Sequence, residues 1–169
     1  MYPESSVWLI IVLAFILATI PFLTERMFAF VPARLSGEPE RFGGYYQLRA
    51  GLSYVVIVLA AYLMSMPLHS VVLKALGFGL FVFILALPSV LVSPHVKVKN
   101  LAVRLFELLA MYFLVGSIGF MVESFYANSV PQQWQFYAIS LSLFVILAFP
   151  GFVWRHLMKH PNNRSMLKE

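Results

Sequence analysis

The chain has 169 residues, 61% of them hydrophobic and 11% charged, with a mean hydropathy of +0.84 and a formal net charge of +5. A soluble domain is nearer half apolar with about a quarter of its residues charged, so this composition excludes an ordinary soluble globule and leaves room for about five bilayer spans of roughly 20 residues. The absence of Cys and Asp excludes disulfides, thiolate ligands, a thiol nucleophile and a Ser/His/Asp site.

The first expected helix covers residues 6–30, with Ser5 or Ser6 as its cap, Trp8 at one interface and Pro21 kinking its far third. The leader Met1-Tyr2-Pro3-Glu4 is acidic and the apolar run after it is long, so this segment reads as a retained span rather than a signal peptide. A polar loop, 31–44, carries Pro32, Gly37, Pro39, Gly43 and Gly44. The second helix, 45–66, opens on Tyr45 and Tyr46, with Arg49 placed to snorkel back to the headgroups.

After a turn at Pro67, the third helix covers 70–92, with Pro88 as a kink and Lys74 snorkelling outward. Ala75 and Gly79 in it form a small-xxx-small pair suited to close helix approach. The fourth helix, 100–125, is capped by Asn100 and thinned on one face by Gly116 and Gly119. The fifth, 132–158, has Trp134 and Tyr137 at one end, Trp154 at the other, and a bend at Pro150-Gly151. Helices 1, 3 and 5 each carry an Ala followed two or three residues later by Pro, at Pro21, Pro88 and Pro150. A duplication explains this, and so does a shared need for a kinked inner end.

Eleven of the twelve Lys and Arg residues fall in three alternate connecting segments: Arg26, Arg34, Arg41 and Arg49; Lys97, Lys99 and Arg104; Arg155, Lys159, Arg164 and Lys168. Lys74 is the exception. Positive charge stays on the cytoplasmic side of inserted helices, so the pattern predicts an all-α, polytopic membrane protein of five spans in one domain, N-terminus out and C-terminus in. The net positive charge is thereby topological, and nucleic acid is not expected as a partner.

Glu107 stands about two turns into the fourth helix, where an ionisable group is costly and a functional candidate by default. Arg104, three residues earlier, shares its face, so the two are expected to form a local ion pair that orients the helix or docks a partner. A proton-relay role is the alternative. Glu25-Arg26, at the end of helix 1, reads as a solvated pair or as a contact for Arg104 and Glu107, and Arg155 sits at the matching end of helix 5. His156 and His160 have metal-ligand spacing but lack a third ligand, so no metal and no cofactor is expected.

Several stretches carry a family resemblance: Val7-Trp8-Leu9, Ile20 to Phe28, Val103-Arg104-Leu105-Phe106-Glu107-Leu108, Tyr112 to Gly116, and Trp134 to Ile139 running on to Leu147 through Arg155. Together they resemble a small, uncharacterised family of bacterial inner-membrane proteins, whose genes commonly neighbour those for the membrane arm of the proton-pumping NADH:quinone oxidoreductase, respiratory complex I. Members look like three-span proteins, so the resemblance implies that 36–99, with helices 2 and 3, is extra. It implies no catalytic residues. The expected function is therefore a non-catalytic accessory, structural or assembly subunit in the bilayer, associated with complex I membrane-arm subunits or with itself. The alternative is a small transporter or channel component using Glu107.

Overall fold

Long apolar segments with no strand pattern have one way to satisfy their backbone without water, which is the α-helix. The computed structural model describes residues 4–35, 37–66, 70–96, 99–126 and 132–158, and its elements are α1 (Glu4–Leu23), α2 (Tyr45–Ser65), α3 (Val71–Leu91), α4 (Leu101–Tyr126) and α5 (Trp134–Val153), the last running into a π-helical turn, Trp154–Met158. All five are long and apolar enough to cross a membrane. Their outer faces carry Leu9, Val55, Val72, Leu105 and Ile146 exposed to the surroundings, a surface that suits lipid and not water.

The centre of the bundle is α4, which packs against α1 on one side and α2 on the other. Outside these, α5 lies along α1 and α3 lies along α2, and both touch α4 only sparingly. The larger core cluster joins Ala18, Phe22, Ala60, Met64, Phe81, Ala110 and Phe144. Connections put the ends of α1, α3 and α5 beside the starts of α2 and α4. Of the described Lys and Arg residues, all but Lys74 gather at that one end.

Two close approaches set the outer helices. Gly77 of α3 faces α2, where a Cβ would lie 3.0 Å from Leu63 Cβ and 3.1 Å from the Ala60 carbonyl oxygen. Gly151 of α5 faces α1, 3.2 Å from Phe22 Cβ by the same measure. Ala75 and Gly79 instead point outward, and a Cβ on Gly79, Gly116 or Gly119 would meet nothing within 4 Å. The expected close-packing positions are thus not used within the chain. The small residue that α3 packs through is Gly77.

The structure also corrects the first helix, which ends at Leu23 rather than at residue 30. Beyond it the chain turns back into the bundle, and Met27, Phe30, Val31 and Leu35 form a second core cluster with Ala50, Val92, Val96 and Val103. Other elements supply the hydrogen bonds this segment gives up by leaving the helix. Ser93 Oγ accepts from the Met27 N–H at 2.7 Å, and Tyr54 donates its hydroxyl to the Phe30 carbonyl at 3.1 Å. Asn100 caps α4 as expected, its Oδ1 accepting from the Val103 N–H at 2.9 Å. Described α1 begins at Glu4, so Ser5 and Ser6 lie inside it.

Gly37 is the one residue of this region with a left-handed backbone, φ 101°, and an added Cβ would sit 2.0 Å from the His95 carbonyl oxygen. Gly37→Ala therefore meets both a strained dihedral and a backbone collision, and is expected to cost about 1–3 kcal/mol or more. Gly43→Ala, which meets nothing within 4 Å, is the control. Thermal unfolding in detergent should separate the two, and equal melting temperatures would contradict this account of the turn.

Candidate functional site

Five ionisable side chains meet where the ends of α1, α4 and α5 converge: Glu25, Lys99, Arg104, Glu107 and Arg155. Arg104 and Glu107 do share a face of α4, yet they do not pair with each other as their spacing suggested; each reaches a different partner.

Arg104 is 1% exposed and its guanidinium reaches the frayed end of α1. Nη1 donates to the carbonyls of Pro21 at 2.7 Å and Phe22 at 3.2 Å, and Nη2 donates to both carboxylate oxygens of Glu25 at 2.9 and 3.0 Å. The last carbonyls of a helix have no intrahelical donor and carry its partial negative charge, so a cation there satisfies both needs. The Arg104 Nε is buried without a hydrogen-bond partner. Glu25 also accepts from the Lys99 backbone N–H at 3.2 Å and pairs with Arg155 from the π-helical turn. Burial raises the Glu25 carboxyl, but the Lys99 N–H, the Arg104 hydrogen bond and charge, and the Arg155 charge hold it below its ordinary range.

Glu107 is fully buried. One carboxylate oxygen accepts from the Phe28 N–H at 2.7 Å, and the other pairs with the Lys99 ammonium at 2.6 Å, both side chains being wholly shielded. The ammonium also lies 5.3 Å from the Phe28 ring centroid. Burial lowers the Lys99 ammonium from its ordinary range, against the opposing pull of Glu107. Three cations thus face two carboxylates, and the ties run from α4 to α1, to the segment after α1, and to α5. Arg26 is exposed and stands outside the cluster.

Lys99 is the residue that spacing rules missed. It precedes α4 and extends its long side chain forward along the first turns to reach Glu107, beyond the three- or four-residue spacing at which helix neighbours meet. In the sequence it counted only as loop charge. A second pair escaped notice for the same reason. Arg49 does not snorkel outward but meets buried Glu38 at 2.8 Å, with its guanidinium 4.7 Å from the Phe30 ring. Lys74 likewise turns inward, 4% exposed, and donates to Ser124 Oγ at the other end of α4.

Among the described residues, no three His or Glu side chains gather as a metal site. His156 stacks on Phe152 with centroids 4.7 Å apart. His69, Lys97, Lys159, His160, Arg164 and Lys168 lie outside the described residues.

Above the cluster, α4 and α5 part, leaving a cavity of about 550 Å³ between α1, α4 and α5, with the end of α2 at its rim, that takes in Gly116 and Gly119. Glu107 does not line it. Five apolar helices of this length fit a multi-pass membrane protein, and here the ends of α1, α4 and α5 are tied together by ion pairs. The chain belongs to a family of proteins of unknown function (DUF2818), whose model matches residues 71–159. No curated protein and no solved structure matches the chain. The matched range takes in α3, which the resemblance counted as extra, while 7–9 and 20–28 fall outside it.

Proposed function

We propose that the chain is a non-catalytic accessory or assembly subunit of a bacterial inner membrane, N-terminus out, that works by associating through its lipid-embedded faces. The observation that carries this reading is the disposition of charge. The groups that would serve transport or catalysis are tied to one another and to backbone inside the bundle, while the outward faces of α3 and α5 are almost wholly apolar. The outward side of α3, with Ala75 and Gly79, offers the small residues that helix association in lipid uses. The orientation rests on the basic end facing the cytoplasm. The partner, the membrane arm of respiratory complex I, rests on the resemblance alone. A transporter using Glu107 would want that carboxylate on a cavity wall, and the large cavity does not reach it.

Affinity purification of the tagged full chain in mild detergent tests this. Membrane-arm subunits should co-purify in fixed ratio, and Gly79→Leu should weaken that recovery several-fold while membrane insertion is unchanged. A monomer free of respiratory subunits would overturn the proposal.

A further inference from the structure

The cavity between α1, α4 and α5, edged by Ala61 and Ser65 of α2, has the length of one leaflet. Along α4 it runs from Tyr112 to Glu123, a rise of roughly 16 Å at about 1.5 Å per residue, or half of a hydrocarbon core about 30 Å thick. Deeper in, the space closes where Gly151 of α5 meets Thr19 and Phe22 of α1. At its inner end the rings of Tyr112 and Phe144 lie 5.7 Å apart, and the Tyr112 hydroxyl is joined to Ser140 Oγ at 2.8 Å.

Its walls act as hydrocarbon. The Ser65 and Ser117 hydroxyls donate to their own helices, to the Ala61 and Phe113 carbonyls, both at 2.7 Å. Glu123, near the end of α4, is the one charged residue of the lining. At about 550 Å³ the space falls in the range of roughly 300–1,000 Å³ over which proteins hold small apolar ligands. A cleft with such walls that opens onto the bilayer is filled more favourably by hydrocarbon than by water. A partner helix crossing the whole bilayer is too long for a cleft that ends midway.

We infer that this cavity is a binding site for one acyl chain of a membrane phospholipid, entering from the leaflet beside the Glu123 end, with Gly116 and Gly119 keeping the space open. The inference rests on the reading of the five helices as membrane spans.

The test uses the purified full chain in phosphatidylethanolamine vesicles doped with the same lipid carrying a diazirine at its acyl terminus, photolysed and mapped by mass spectrometry. Cleft residues such as half-buried Tyr112 and buried Phe144 should be labelled at least as strongly as outward-facing Leu105. The double variant Gly116→Leu/Gly119→Leu, at positions where an added Cβ meets nothing within 4 Å, fills the cleft and should cut cleft labelling five-fold or more while Leu105 labelling stays constant. Gly51→Leu, equally open but on α2 away from the cleft, should change neither. Cleft labelling that is absent, or that survives the filling variant, would overturn the inference. So would protection of the cleft by a second copy, seen as a crosslinked dimer. If alkaline carbonate strips the chain from the vesicles and Leu105 is also unlabelled, the membrane reading fails instead.

Discussion

Lys99→Met alone is expected to destabilise the protein by about 3–5 kcal/mol, and Lys99→Met/Glu107→Gln to recover much of that loss. The reason is the setting of the pair, two wholly shielded side chains 2.6 Å apart. Removing one partner strands the other charge in a medium that cannot solvate it, whereas neutralising both removes the desolvation cost together with the attraction. Gln is chosen over Leu because its carbonyl oxygen still accepts the Phe28 N–H, which otherwise loses its partner at 2.7 Å. Met keeps the unbranched stem of Lys against the Phe28 ring. Unfolding of each variant in detergent, followed by near-ultraviolet dichroism, reads the difference. Equal losses for the single and the double variant would show that the two groups are not energetically coupled.

Arg104→Leu is expected to be of similar severity, because three acceptors depend on one guanidinium. The Pro21 and Phe22 carbonyls lose a donor each, at about 1–3 kcal/mol for each buried group left unsatisfied, while Glu25, partly exposed and still paired with Arg155, loses its two Arg104 hydrogen bonds. Arg104→Lys should fall between wild type and Leu, since a single ammonium does not reproduce the planar fork. A pH series adds a second readout. Glu25 titrates below its ordinary value in the fold, so its contribution is complete above the unfolded value and fades as pH falls through the folded one. Wild-type stability should therefore drop on acidification more steeply than that of Arg104→Leu. Parallel pH profiles would remove Glu25 from the account.

Much of this architecture was legible because a bilayer imposes length and apolarity on each span, and α2 to α5 fall within a few residues of their expected bounds. The Asn100 cap and the prominence of Glu107 were legible for the same kind of local reason. The end of α1 was not. The run Met27-Phe28-Ala29-Phe30-Val31 is as apolar as the helix before it, and what diverts it is distant: Ser93, Glu107 and Tyr54 supply its polar contacts. The rotation of α3 was hidden too. A helix that is apolar all round has no polar face to say which side turns inward, so the spacing of Ala75 and Gly79 was visible while the role of Gly77 was not.

The placement of α1 and α2 on either side of α4 changes how the family segment must be thought of. Of the three helices within 71–159, α3 and α5 do not approach each other and each meets α4 only lightly. The surfaces of α4 that hold this bundle together are covered by helices from the first 65 residues, and the carboxylate that neutralises Arg104 comes from there as well. The amino-terminal part is thus a resident escort, carried on the same polypeptide and held at a local concentration no separate subunit attains. Cut away, it would leave three spans with bare flanks and a charged residue without its counterion, and those flanks would have to be covered by another copy or another protein.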